Sequence, residues 1–181
     1  DLEYLTGDLV GLLDRLGIDK AIFCGHDWGG MVVWDMALRH PDRVASVIGV
    51  NTPFLPRGPV DPIAAMRAAY GDDMYVVWFQ QPGLADAVLG TDVERSIRFF
   101  MRKPLLTLEQ YQQLPAEMRT LALGEALKLY DAATDTQQFL TDDEIAAFAE
   151  SFAATGFTGG INWYRNFTRN WEASAGRQEH V

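Results

Sequence analysis

Leucines at positions 2, 5, 9, 12, 13 and 16 recur at helical spacing, with polar and small residues between them. The pattern predicts an amphipathic helix over 2–16, and Gly17 is a good C-terminal stop. After the Gly17-Ile18-Asp19 link, Ala21-Ile22-Phe23-Cys24 is a short continuous apolar run of buried-strand type. A second run, Val44-Ala45-Ser46-Val47-Ile48-Gly49-Val50, predicts a second buried strand. Between the two, Met31, Val32, Val33, Trp34, Met36, Ala37 and Leu38 form an apolar helical stretch that ends near His40. Strand, helix and strand in that order make a right-handed parallel crossover, so the fold class is α/β.

The texture changes at Asn51-Thr52-Pro53-Phe54. Pro53, Pro56, Gly58, Pro59 and Pro62 lead away from the sheet, and helical patterns follow at about 63–70, 84–90, 92–101, 107–113, 142–154 and 162–172. Thr141 with Glu144 three residues on is a capping-box signature for the fifth of these, and the sixth follows Gly159-Gly160. The stretch reads as a mostly helical insertion of the size of a lid over an α/β core. The expected organisation is a partial core over 1–54, a helical cap over 55–172, and the start of a return to the core over 173–181. Two parallel strands alone do not make a stable sheet. Further strands are therefore expected before Asp1 and after Val181, and the chain reads as an internal piece of a longer protein.

Composition narrows the partners. With 181 residues and a formal net charge of −10, the chain argues against nucleic-acid or anionic-membrane partners, since both reward a basic surface. A single cysteine, Cys24, excludes an internal disulfide framework and a multi-cysteine metal site; on its strand it is expected to be a small core residue. No apolar run approaches membrane-spanning length and no basic-then-apolar leader is present, so a soluble cytoplasmic protein is expected. Neither metal-ligand spacing nor a phosphate-binding glycine loop occurs, so no metal and no cofactor are expected.

The chemistry concentrates in Gly25-His26-Asp27-Trp28-Gly29-Gly30, between the first strand and the helix. Strand, tight turn and helix with a reactive side chain at the apex is the geometry of a nucleophile elbow. Crowding in the turn calls for glycine two residues before and two after the apex, at Gly25 and Gly29. A strained apex is tolerated mainly at functional sites. Here the apex is Asp27, and a carboxylate attacks carbon to give an alkyl ester on the protein. Water then attacks the ester carbonyl, and backbone N–H groups, one from Trp28, hold the oxyanion. Strained epoxides and alkyl halides both suit such an attack. A halide leaves as a stable anion, whereas an epoxide oxygen leaves as an alkoxide and needs a proton donor, which a tyrosine hydroxyl supplies. Two tyrosines lie in distinctive contexts: Tyr75 just before Phe79-Gln80-Gln81-Pro82-Gly83, and Tyr164 within Asn162-Trp163-Tyr164-Arg165-Asn166.

With GHDWGGMVVWDMAL, HPDRV, NTPF, FQQPG and FTGGINWYRN followed by NWE, the sequence resembles the epoxide hydrolases of the α/β-hydrolase superfamily, of the soluble type, over nearly its whole length. The resemblance implies hydrolysis of a small-molecule epoxide by water to a vicinal diol. It implies Asp27 as nucleophile, and Tyr75 and Tyr164 as the lid pair that binds and protonates the epoxide oxygen. Trp28 would lie at the pocket floor, with Met31 and Thr52 lining it. The family's catalytic histidine and its orienting acid would lie C-terminal to this stretch, and the HGxP-type motif N-terminal to it. None of the histidines present substitutes: His26 flanks the apex and points away, His40 ends the elbow helix, and His180 is in the tail. A dehalogenase of haloalkanes or haloacids on the same scaffold is the competing enzyme. From another class comes a chain that, lacking a base, stalls at the ester and does not turn over. Tyr4, Tyr70, Tyr111 and Tyr130 read as packing or surface residues, Trp34, Trp163 and Trp171 as packing, and Asp72-Asp73 and Asp142-Asp143 as helix-start charges.

Overall fold

A computed structural model describes residues 1–115 and 121–177. In chain order the first elements are α1 (Leu2–Leu16), β1 (Ala21–His26), α2 (Trp28–Arg39), a 3-10 turn (Pro41–Arg43) and β2 (Val44–Val50). Then come α3 (Pro62–Tyr70), α4 (Tyr75–Trp78), α5 (Leu84–Gly90), α6 (Val93–Phe100) and α7 (Leu108–Gln113). The last are α8 (Leu123–Leu129), α9 (Asp142–Thr155), α10 (Thr158–Arg165) and α11 (Phe167–Ala173). The backbone divides into two units, Asp1–Pro62 with Asn166–Val181, and Ile63–Arg165. Residues 178–181, which include His180 and part of the expected return to the core, lie outside the described residues.

The first unit holds the sheet. Asp1 caps α1 by accepting from the Tyr4 N–H, and Gly17 closes the helix in the left-handed conformation at φ 67°. β1 and β2 pair in parallel, from Ile22 opposite Ser46 to His26 opposite Val50. β1 runs two residues past its apolar run because Gly25 and His26 continue the ladder opposite Gly49 and Val50. α2 packs on both strands and α1 packs on α2, burying Leu13, Val32, Val33 and Met36. Cys24 is exposed rather than in the core. Successive strand residues face opposite sides, and Cys24 falls on the side of Ile22 and His26, all exposed, while Phe23 and Gly25 take the more covered side. Opposite them in the register, Ile48 and Val50 are exposed too.

α11 ties into the same unit through the segment that follows β2. The Arg57 guanidinium stacks 4.1 Å above the Trp171 ring, and its Nε donates to the Trp171 carbonyl. The indole N–H of Trp171 donates to the Gly58 carbonyl, and the Thr168 hydroxyl to Asp61. The buried carboxylate of Asp35 on α2 is held between Arg39 and Arg177, as a buried charge must be.

The second unit is helical. Its core gathers Phe79, Ala85, Leu89, Ile97, Phe99, Leu127, Ile145, Phe157 and Ile161. α6 packs against α9, α5 against α6 and α10, and α4 against α8. The Thr141 capping box forms as predicted, with Thr141 N–H donating to Glu144 Oε2 and Glu144 N–H to the Thr141 hydroxyl. Those bonds from Thr141 hold the Glu144 carboxyl below its usual range. Asp142 and Asp143 stand in the first turn of α9 as expected; Asp72 instead pairs with Arg67 at the end of α3.

The helical pattern at 162–172 resolves into two helices. α10 begins at Thr158, takes in Gly159 and Gly160, and stops at Arg165; α11 starts at Phe167. The break is Asn166, at φ −90° and ψ 1°, a residue type whose side chain competes with the helix for backbone partners. α4 and α8 were not predicted. α4 is a single turn, too short to show periodicity, and α8 carries Gly124, a poor helix former, at its second position. A side chain there would meet the Trp78 ring at 3.1 Å. No helix among the described residues is long and apolar enough to cross a membrane.

Candidate active site

Asp27 sits at φ 52° and ψ −122°, one of two non-glycine residues with positive φ among the described residues. Such a backbone costs about 1–3 kcal/mol and persists only where its surroundings enforce it. Here three donors converge on its main-chain carbonyl: the N–H of Gly30 at 3.0 Å, the N–H of Met31 at 3.3 Å, and the hydroxyl of Thr52 at 3.1 Å. The carboxylate itself makes no capping hydrogen bond to the start of α2, and the residue is exposed. An aspartate at a helix start ordinarily spends its side chain on that cap. At this turn the carboxylate is left for something else.

The glycines of the turn divide differently from the expectation. A side chain at Gly25 would put its Cβ 2.1 Å from the Gly29 carbonyl oxygen, so Gly25 is required. At Gly29 nothing lies within 4 Å of the equivalent position, so the crowding between the two is one-sided. The second required glycine is Gly30, where a Cβ would fall 2.5 Å from that of Thr52. Thr52 is seated tightly on its other side as well. Its carbonyl accepts from the Trp34 indole at 2.8 Å, and Gly49 gives both groups room. Trp34 thus packs against Phe54 and also carries a specific hydrogen bond. Trp28 sets its ring 4.9 Å from that of Phe167, and Met31 and Thr52 are half-buried. His26 is exposed on β1, and His40 ends α2, its N–H donating to the Met36 carbonyl.

Tyr75 opens α4 and Tyr164 stands one residue from the end of α10. Their rings meet edge to face with centroids 5.6 Å apart, and both lie edge-on to Phe79, at 5.6 Å and 5.1 Å. Two phenols nearly ninety positions apart in the chain are therefore neighbours. The Gln80 amide donates to the Val76 carbonyl and to the Tyr164 carbonyl, joining the main chains that carry them. Arg165 donates to the carbonyls of Phe79 and Gln81 and to Asp86, whose other oxygen accepts from the Thr158 hydroxyl. The Thr158 and Arg165 bonds hold the Asp86 carboxyl below the usual aspartate range.

The expected site residues thus fall into two groups. Asp27, Trp28, Met31 and Thr52 belong to the sheet unit, and Tyr75 and Tyr164 to the helical unit. Gln80, Asp86 and Arg165 escaped the sequence reading. Gln80 and Arg165 stand inside the motifs that marked the tyrosines, which is the only local signal they carry. Among the described residues no group of three or more His, Cys, Asp or Glu could hold a metal ion.

Comparison with known proteins agrees with this architecture. The profile of the alpha/beta hydrolase fold matches residues 2–180. Epoxide hydrolase A of Mycobacterium tuberculosis is 42% identical over 178 residues, covering 97% of this chain and 54% of that protein. Epoxide hydrolase 1 of Siraitia grosvenorii is 41% identical over 176 residues, covering 96% and 52%. Among solved structures, epoxide hydrolase A from Mycobacterium thermoresistibile superposes with a TM-score of 0.78 at 40% identity, covering 97% of this chain and 54% of that one. The chain thus spans about half the length of these relatives. With a parallel strand–elbow–helix–strand unit, a helical second unit and a family match along almost every residue, the chain belongs to the alpha/beta hydrolase fold family.

Proposed function

We propose that the protein hydrolyses an epoxide to a vicinal diol through an ester on Asp27, with water and a small-molecule epoxide as its only reactants. An Asp27 oxygen attacks one ring carbon, and the ring C–O bond breaks with its electron pair going to oxygen. Tyr75 and Tyr164 bind that oxygen and one of them gives it a proton. The backbone N–H of Trp28 helps hold the oxyanion formed when water attacks the ester carbonyl. The oxyanion collapses and the acyl C–O bond of the ester breaks, which frees the diol and regenerates the Asp27 carboxylate. Of the water's two protons, one goes to the departing diol oxygen and the other restores the phenol. Trp28, Met31 and Thr52 line the pocket. The sheet unit acts as core and the helical unit, Ile63–Arg165, as cap. Neither His26 nor His40 is assigned as the base that activates water.

The observation that carries the reading is the paired phenols, ring centroids 5.6 Å apart, in a chain whose elbow residue is a carboxylate. A departing halide has no use for two acids, and an alkoxide does. The names of the relatives point the same way. The test is substrate choice by the full-length protein. Diol formation from epoxides without halide release from haloalkanes is expected, lost when Tyr75→Phe and Tyr164→Phe are combined. Halide release with inert epoxides would favour the dehalogenase and end this reading.

A further inference from the structure

Tyr75 and Tyr164 come from separate helices, and something must hold their rings in register. Arg165, the residue after Tyr164, reaches back to the segment after Tyr75. Its Nε donates to the Phe79 carbonyl at 2.8 Å, and one terminal nitrogen donates to the Gln81 carbonyl at 3.2 Å and to Asp86 at 2.8 Å. Asp86 also accepts from the Thr158 hydroxyl at the opposite end of α10. Both ends of α10 are therefore tied through one carboxylate to the chain running from α4 into α5. Gln80 adds a further tie, its amide bridging the Val76 and Tyr164 carbonyls at 2.8 Å and 3.0 Å.

A lone exposed ion pair does little. This one is different in kind: both side chains are only 18% exposed, and the planar guanidinium serves several acceptors at once. Every acceptor it uses on the α4–α5 side lies within eight residues of Phe79, whose ring touches both tyrosines. The network fixes two backbones against each other just where the phenols start.

We propose that Arg165, held by Asp86, is a positioning residue that sets Tyr75 and Tyr164 to donate together to one oxygen. The proposal rests on the reading of the two tyrosines as the proton donors. Reaction geometry is unforgiving, and a displacement of about 1 Å costs about a hundredfold in rate. Lysine at 165 keeps the charge but gives up the fork, and asparagine at 86 keeps the shape but gives up the charge.

The experiment compares Arg165→Lys, Asp86→Asn, Tyr75→Phe and Tyr164→Phe in the full-length protein, each shown by circular dichroism to be folded. Single-turnover ring opening is measured on an alkyl epoxide and on one with an electron-withdrawing substituent, whose alkoxide needs less acid. Both network variants are expected to open the alkyl epoxide about ten- to a hundredfold more slowly at saturation, with KM little changed. The loss should be smaller on the activated epoxide, matching the bias of the tyrosine variants. Wild-type rates, or equal losses on both substrates, with the bias kept in the tyrosine variants, would overturn the positioning role alone. Full ring opening in the Tyr75→Phe, Tyr164→Phe double variant would overturn both the positioning role and the reading beneath it.

Discussion

Alanine at position 25 would carry its Cβ 2.1 Å from the Gly29 carbonyl oxygen, 2.3 Å from the carbon of that carbonyl and 2.7 Å from the Gly30 nitrogen. Ordinary contact starts at 3.4 Å, so the methyl group is short of room by roughly 1 Å in one direction. All three obstacles are main-chain atoms in the first turn of α2, and no side-chain rotation relieves them. The turn is itself held by the bonds from Gly30, Met31 and Thr52 to the Asp27 carbonyl. Overpacking typically costs about 1–3 kcal/mol, and against main-chain atoms that cannot turn aside a loss of at least about 3 kcal/mol is expected. Gly29→Ala is the matched control. Its Cβ would meet nothing within 4 Å, and alanine in place of a helical glycine gains up to about 1 kcal/mol. The assay is urea unfolding of the full-length protein followed by tryptophan fluorescence, comparing midpoints at equal slope. Gly25→Ala within about 0.5 kcal/mol of wild type, or Gly29→Ala the more damaging of the two, would refute the reasoning.

Three further outcomes follow from the same geometry. Asp27→Gly relieves a positive φ that Asp27→Ala retains, so the glycine variant should be the more stable by about 1 kcal/mol in thermal unfolding, with both inactive. Thr52→Val removes the hydroxyl donor to the Asp27 carbonyl and should lower stability by about 1 kcal/mol, while Thr52→Ser restores it in the same unfolding measurement. Asp86 has its folded-state pKa depressed by its bonds from Thr158 and Arg165. Its contribution to stability is therefore fully present above its unfolded value of about 3.9 and is lost as pH falls through the lower folded value. Unfolding midpoints measured down through that acid range should decline less steeply for Asp86→Asn than for wild type.

Local patterns were legible wherever the cause of structure is local. β2 follows its apolar run residue for residue, α1 ends on Gly17, and the Thr141 capping box forms where its spacing says it should. The tight turn at Asp27 was legible for the same reason, since strand, turn and helix are consecutive in the chain. What failed depended on residues distant in sequence. Cys24 is exposed with Ile22 and His26 on one side of β1, and strand alternation alone does not say which side is covered. Gly30 rather than Gly29 is the second essential glycine because Thr52, from the end of the next strand, occupies the space beside it. Gly124, within α8, leaves room for the Trp78 ring, which a Cβ there would meet at 3.1 Å. Arg165 and Asp86, 79 positions apart, carry no periodicity or spacing that would pair them. The tyrosines themselves were marked by their motifs, and their edge-to-face contact had no counterpart in any spacing rule.

The fate of one oxygen atom decides whether Asp27 is a nucleophile. The full-length protein, in excess over epoxide, is allowed a single turnover in water enriched in heavy oxygen, and the diol and the Asp27 peptide are weighed by mass spectrometry. The first diol is expected to carry only light oxygen, one atom of it taken from Asp27, while the heavy atom appears in the Asp27 carboxylate. A first diol carrying solvent oxygen, with Asp27 unlabelled, would contradict the ester.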